Sequence, residues 1–197
     1  MGKRKPPYNA MRQDVNLTLL SKEEIGYLFG FFVGDGNIFT SRKLGVYRVR
    51  IFTFIKEVNI QNKLREILRT ILKNFREYKE QDNTYVFEFH SKDFINKMLK
   101  IVDKNGLKKI ISKKSERAFI EGLIDSDGYV QRNYCEITTV NPKLKSNIIE
   151  ILKRFGVKSI TRKFPRNHHL DGFRVGFSLN GKIFFPCKWV TGVQTAG

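Results

Sequence analysis

Apolar positions along the chain alternate between two periods in a fixed order, and the order occurs twice. Ser21-Lys22-Glu23-Glu24 has the spacing of a capping box, and Ile25–Val33 behind it is apolar. A helix is therefore predicted from Ser21 through Val33. Residues 37–40 and Tyr47–Phe54 then change to period 2, with Tyr47, Val49 and Ile51 on one face and Arg48 and Arg50 on the other. β-branched and aromatic residues at that period predict strands. Ile60, Leu64, Ile67, Leu68 and Ile71 return to helical spacing over Val58–Leu72. Two further strands, Asn74–Lys79 and Thr84–His90, flank a polar turn at Glu80–Asn83, and a short helix begins near Ser91.

The order restarts after Ser112. A second helix leads into a hairpin of Tyr129–Arg132 and Cys135–Val140 that turns at Asn133. An amphipathic helix follows over Pro142–Phe155, with Asn141 as N-cap, Pro in the first turn and Gly156 just past the end. Val157–Phe164 and Phe173–Leu179 form the next strand pair, around a loop at 166–172, and Lys182–Val190 closes as a short helix. The fold class is α+β, two αββαββα halves in one chain. Neither half is large enough to bury much core alone, so the two should pack on each other. The expected divisions are a basic N-terminal extension (1–20), a first half (21–111), a second half (112–190) and a tail (191–197).

The repeat is visible in the residues themselves. Leu28-Phe-Gly-Phe-Phe-Val-Gly-Asp35-Gly36 and Ile120-Glu-Gly-Leu-Ile-Asp-Ser-Asp127-Gly128 share an apolar body, a Gly at the third place and a final Asp-Gly. Gly26, Gly30 and Gly34 recur at four-residue spacing, as do Ala118, Gly122 and Ser126. Each interior Gly costs a helix about 1 kcal/mol against Ala. A stripe of small residues on each of two helices allows their backbones to approach closely. If the helices pair in parallel, Asp35 and Asp127 meet at one end.

That end is unfavourable for carboxylates. The helix C-terminus carries partial negative charge, and two anions repel each other. A divalent cation reverses both effects, and hard oxygen donors favour Mg²⁺ over zinc. Read singly, each Asp-Gly also fits an ordinary helix C-cap, with Gly in the left-handed region and Asp solvated.

Charge narrows the partner. The 37 Lys and Arg against 19 Asp and Glu give a net charge of +18 and point to a polyanion, most commonly nucleic acid. Aromatic residues at 13% exclude a disordered basic tail. Two cysteines, Cys135 and Cys187, without a CxxC pair, and three histidines, argue against a zinc module or a disulfide scaffold. No apolar run approaches the roughly 18 residues of a membrane helix. An intracellular setting follows, a prokaryotic cytoplasm or an organelle matrix, with no membrane partner.

The two nine-residue segments resemble the LAGLIDADG motif of homing endonucleases, in the two-motif, single-chain form. Ile120–Gly128 matches closely; Leu28–Gly36 is looser, with Val33 and Gly34 in place of Asp and Ala. The resemblance implies pseudo-twofold halves with the motif helices at the centre and antiparallel sheets forming a saddle in the DNA major groove. It implies a site-specific, metal-dependent endonuclease that cuts both strands of a long target and leaves 3′ overhangs. The metal ligands would be Asp35 and Asp127, with the carbonyls of Gly34 and Ser126. Mg²⁺ or Mn²⁺ would serve, with Ca²⁺ as a substitute that does not support cutting. A monomer acting on double-stranded DNA is expected. Intron RNA, bound by a maturase, and a DNA-binding protein that has lost catalysis are the alternatives.

The family surrounds its metals with less uniform basic residues. Lys113, or its neighbour Lys114, and Lys56 are the candidates in the first half. Val140 and Asn141 stand where a match for Lys56 would be, and the point matching Lys113 falls past Gly197, so the periphery should be asymmetric. On the saddle, period 2 buries Phe173, Val175, Phe177 and Leu179 and turns Arg174, Gly176 and Ser178 outward. It points Ile160 and Phe164 inward and Ser159, Thr161 and Lys163 outward. Asn37, Arg42, Lys43, Arg48, Arg50, Tyr129, Gln131 and Asn133 complete the expected DNA face, where Arg, Gln and Asn can read base edges. His168 and His169 fall in a loop, as phosphate neighbours or solvated groups.

Overall fold

The computed structural model describes residues 13–41, 43–102, 112–165, 172–178, 184 and 186–188. Helix α1 (Lys22–Asp35) starts at the capping box: the Ser21 hydroxyl accepts from the Glu24 amide, and the Glu24 carboxylate accepts from the Ser21 amide. It leads into β1 (Gly36–Ser41), β2 (Val46–Phe54), α2 (Val58–Ile71), β3 (Arg76–Lys79), β4 (Thr84–His90) and α3 (Lys92–Val102). The second half repeats the order with α4 (Lys113–Asp127), β5 (Gly128–Gln131), β6 (Tyr134–Thr139), α5 (Pro142–Arg154), β7 (Ser159–Phe164) and β8 (Gly172–Ser178). The two sheets are antiparallel and share one topology, β1-β2-β4-β3 and β5-β6-β8-β7. The expected closing helix at 182–190 lies mostly outside the described residues; 187–188 are helical.

Local chemistry sets the ends. Asn141 caps α5 through the amides of Lys143 and Leu144, and Gly156 takes φ +71° just beyond it. Residues 13–20, read from sequence as part of a basic extension, pack on the first half instead. Val15 is buried, its amide donates to Asp93, and its carbonyl accepts from the Lys97 ammonium.

Each sheet buries one face. Val49, Ile51, Phe87 and Phe89 in the first, and Cys135, Ile137, Val175 and Phe177 in the second, join a single apolar cluster with residues of α1, α2, α3, α4 and α5. The core therefore continues across both halves, as the size of each half requires.

The helices α1 and α4 form the centre. A β-carbon on Gly26 would collide with the Ser115 carbonyl, one on Gly30 with the Phe119 carbonyl, and one on Gly122 with the Tyr27 carbonyl. Partner numbers rise together along both helices, so the two run parallel, as the small-residue stripes predict. Tyr27 on α1 also donates its hydroxyl to Asp125 on α4 at 2.9 Å.

Candidate nucleic-acid interface and metal site

Parallel packing brings the last residues of both helices to one place. A β-carbon on Gly34 would strike the Ser126 side chain and lie 3.1 Å from the Asp127 carboxyl carbon. Neither Gly36 (φ −96°) nor Gly128 (φ −81°) is left-handed; each starts a strand directly. The ordinary C-cap reading of the Asp-Gly pairs therefore does not hold. Asp35 and Asp127 end their helices at the edge where β1 and β5 begin.

Burial dominates their electrostatics. Loss of solvation and then the nearby Asp127 push the Asp35 carboxyl up to about 6, and Lys188 pulls it back in part. Asp127 lies further toward solvent, yet loss of solvation also raises it, against the pull of Lys188. The donors gathered here are hard oxygens: two carboxylates and the backbone carbonyls of the helix ends. Among the described residues no cluster of three or more His, Cys, Asp or Glu side chains could hold a metal. Two carboxylates with neighbouring carbonyls are the donor type that hard divalent cations take.

Two residues at this point were not found from sequence. The Lys188 ammonium donates to the Ser126 carbonyl at 2.8 Å and to the Gly128 carbonyl at 3.5 Å. It also faces Glu57 at 3.6 Å, where both side chains are largely buried, at 17% and 14% exposure. Glu57 accepts from the Phe54 amide and adds to the field that raises Asp35. The only sequence signal for Lys188 was a lysine within the closing segment. Glu57 is the sequence neighbour of Lys56, the expected basic residue.

The expected basic periphery is divided. Lys56 is exposed in the turn after β2, at the end of the sheet where Gly36 pairs with Ile51, and so lies on the Asp35 side. Lys113, expected near the acidic pair, is instead the first residue of α4, whose 15 residues place it roughly 20 Å from Asp127. Lys114 beside it pairs with Glu23 near the start of α1. Parallel helices put both lysines at the end opposite the acidic pair.

The strand faces follow from register. Asn37 and Arg50 face each other, and Arg48 faces Phe39 and His90, all on the face away from the core. Arg48 lies over the Phe39 ring at 5.1 Å, and its buried Nε has no hydrogen-bond partner. Arg50 is already engaged by Glu88 (2.8 Å) and Glu80 (3.4 Å). Lys43 is exposed at the hairpin tip. In the second sheet Tyr129 pairs with Glu136, Gln131 with Tyr134 and Tyr134 with Ser178, which places them on the same open face as Arg174; Asn133 is exposed in the turn. Arg42, Leu179, His168 and His169 lie outside the described residues.

Strand β7 has the opposite phase from the one expected. Ser159, Thr161 and Lys163 pair with Phe177, Val175 and Phe173, the core-side residues of β8. Ile160 and Arg162 pair with Gly176 and Arg174 on the open face, and Ile160 is 66% exposed there. Phe164 turns outward too, under the Arg174 guanidinium at 4.8 Å. As an edge strand, β7 takes its phase from its ladder with β8 rather than from burial. Tyr134, Glu136, Ile160, Arg162, Arg174 and Gly176 line one depression on this face. Phe173, expected in the core, is half-buried with the Lys145 ammonium 4.6 Å from its ring centre.

Residues 114–175 match the LAGLIDADG-like domain family. An uncharacterized protein of Methanocaldococcus jannaschii is 29% identical over 145 residues, which are 73% of this chain and 52% of that protein. The chain thus spans about half the length of this curated relative. I-DmoI in complex with DNA and Ca superposes with a TM-score of 0.65 at 19% identity, over 80% of this chain and 84% of that one. A structure from a study of mesophilic variants of the homing endonuclease I-DmoI gives 0.66 at 19%, over 89% and 97%. The N-terminal LAGLIDADG domain of DUF199/WhiA gives 0.54 at 14%, over 83% and 78%. These structural likenesses establish the two-sheet fold. No described helix is long and apolar enough to cross a membrane.

Proposed function

We propose that this chain is a LAGLIDADG protein with both motifs on one polypeptide, and that it is a site-specific, metal-dependent DNA endonuclease. It acts as a monomer on a long duplex target and cuts both strands to leave 3′ overhangs. The observation that carries this reading is the convergence of Asp35 and Asp127 at the ends of two helices packed backbone to backbone. A partly desolvated carboxylate pair in a protein of +18 fits a place where cation and phosphate are taken up together.

Asp35 and Asp127, with the Gly34 and Ser126 carbonyls, would hold the cation, one aspartate near each scissile strand. Mg²⁺ or Mn²⁺ held there would supply an activated water and offset charge on the phosphate, and Ca²⁺ would fill the same ligands without supporting cutting. Lys56 lies on the first motif's side and Lys188 on the second motif's side, each able to offset charge growing on a phosphate. Arg48, Arg174, Gln131 and Asn37 on the open faces read base edges, and Lys43 and Asn133 hold the backbone from the hairpin tips. Arg162 joins this face; Ser159, Thr161 and Lys163 contact DNA at most from the strand edge.

A second reading has a specific observation behind it. The Lys188 ammonium already occupies the Ser126 carbonyl, one of the four ligand positions. A nucleic-acid-binding protein of the same fold without cleavage, on duplex DNA or on intron RNA, would keep such a cation permanently. The deciding experiment incubates the protein and Mg²⁺ with a plasmid library of random duplex inserts and sequences the cut ends. Wild type should linearise a defined subset. Asp35→Asn and Asp127→Asn should each lose double-strand cutting, and linear product from both variants would refute the metal assignment. Binding without cutting by wild type would favour the second reading, with gel shifts on duplex DNA and intron RNA identifying the ligand.

A further inference from the structure

The motif aspartates give matching starting points on the two sheets. Asn37 stands two residues after Asp35, and Tyr129 two residues after Asp127. The cross-strand row through Asn37 continues as Arg50, Glu88 and Arg76. The row through Tyr129 continues as Glu136, Gly176 and Ile160. Both rows lie on the open faces. The first is polar along its length, with Arg50 closed onto Glu88 at 2.8 Å. The second has a gap in its middle. Gly176 has no side chain, and neighbouring strands are about 4.8 Å apart, so the backbones of Glu136 and Ile160 stand roughly 10 Å apart across it. A β-carbon on Gly176 would strike the Tyr134 hydroxyl, so the glycine is what lets Tyr134 lie across the floor. The depression measures about 380 Å³, far more than the roughly 30 Å³ share of one water molecule, so a base edge can enter.

Its two walls differ in chemistry. Ile160 is apolar and 66% exposed, beside the Arg162 and Arg174 pair of the next row. Opposite it, the Glu136 carboxylate accepts from the Tyr134 hydroxyl at 3.3 Å and faces the Arg174 Nε at 3.5 Å. Both contacts are longer than the about 2.7–3.0 Å of a good hydrogen bond, so the carboxylate keeps acceptor capacity toward the depression. An anion on a face offered to a polyanion is unfavourable unless it accepts a hydrogen bond there. In the major groove a T·A pair presents the thymine 5-methyl group and, from its partner base, the adenine 6-amino donor. No other base pair carries both.

We propose that Ile160 and Glu136 are specificity-determining residues that read one T·A pair of the target. Ile160 lies against the thymine methyl, and Glu136 accepts from the adenine amino group. This deepens the duplex-DNA reading above and rests on it. A cytosine in place of the thymine offers no methyl to Ile160, and a guanine turns its O6 and N7 acceptors on the Glu136 carboxylate. The reversed pair puts the methyl against the carboxylate. The matching row of the first sheet has neither the gap nor the apolar wall, so it gives no such preference for a methyl.

The test selects duplexes from a random pool by gel shift with the full chain and Ca²⁺, which reads binding without requiring cutting. Single groups are then removed from the selected duplex. Uracil replaces each enriched thymine in turn and deletes only the methyl. At one position this should weaken wild-type binding about fourfold. Ile160→Ala should bind the thymine and uracil duplexes within about 1.5-fold of each other, and Ile160→Val should still discriminate. Unsubstituted purine in place of the paired adenine deletes only the amino group. It should weaken wild type about fivefold and leave Glu136→Ala unmoved. Thermal melting confirms that each variant folds. No uracil effect on wild type, or the same effect in Ile160→Ala, overturns the proposal, as does a purine effect that persists in Glu136→Ala. If the selected duplex is cut with Mg²⁺ yet neither deletion matters, this inference alone fails. If both deletions act as expected and Mg²⁺ brings no cutting, the cleavage reading fails and the inference stands. If no duplex sequence is enriched, both fail.

Discussion

Gly30 of α1 lies against the Phe119 carbonyl of α4 so closely that no β-carbon fits between them. The contact is backbone on backbone, so a larger residue cannot be accommodated by a rotamer change. Gly30→Ala gains about 1 kcal/mol of helix propensity and should still lose stability overall, by roughly 2–3 kcal/mol, because the helices must separate. Thermal or urea unfolding of the variant measures this. A neutral or stabilised Gly30→Ala would show that the helices are not in contact as described.

Asp35 makes stability depend on pH. Its folded-state pKa of about 6 lies above the unfolded value of 3.8, through desolvation first and Asp127 second. The folded protein therefore binds more protons in that window, and stability falls as pH rises from about 4 to 6 and stays lower above it. Asp35→Asn should remove this loss and stabilise the cation-free protein at pH 8 by about 1–2 kcal/mol, allowing for solvent screening. Ca²⁺ should raise the wild-type Tm at pH 8 and leave Asp35→Asn nearly unchanged. Tm against pH, with and without Ca²⁺, is the measurement.

The phase of β7 can be checked on DNA. Arg162 shares the open face with Arg174, whereas Thr161 pairs with the core-side Val175. Arg162→Ala should weaken target binding by about 5- to 100-fold, and Thr161→Ala should change it by less than about threefold. Gel shifts on the cleaved target with Ca²⁺ compare them. The reverse ranking would restore the phase expected from sequence.

On the first sheet, Arg50 is held by Glu88 and Glu80. Removing the nearer carboxylate with Glu88→Gln leaves Arg50 only the 3.4 Å contact with Glu80 and takes one anion from the open face. Non-specific duplex affinity should rise a few-fold, and the slope of log affinity against log salt should steepen by about one. Fluorescence anisotropy over a salt series reads both.

The order of elements, the parallel pairing of α1 and α4 and the meeting of Asp35 with Asp127 were legible in the sequence. Each is written locally: a capping box at Ser21, alternation through Tyr47–Ile51, glycines every fourth residue, and an Asp-Gly at each helix end. Strand phase was legible where one face is covered by helices, as at Val175 and Phe177, because burial enforces alternation there. It failed at β7, where Ile160 stands on an uncovered edge strand and only the ladder with β8 fixes its direction.

Tertiary structure alone decided the surroundings of the acidic pair. Lys113 is near Asp127 in sequence and is carried away by the length of α4, while Lys188 is far in sequence and brought back by hydrogen bonds to Asp125. Glu57 reaches the same point because β2 runs antiparallel to β1, so the turn after β2 returns to the place where β1 began. Periodicity records which face of an element meets the core. It carries no record of which distant segment comes to rest on an element's end, and that contact determines the charges around Asp35 and Asp127.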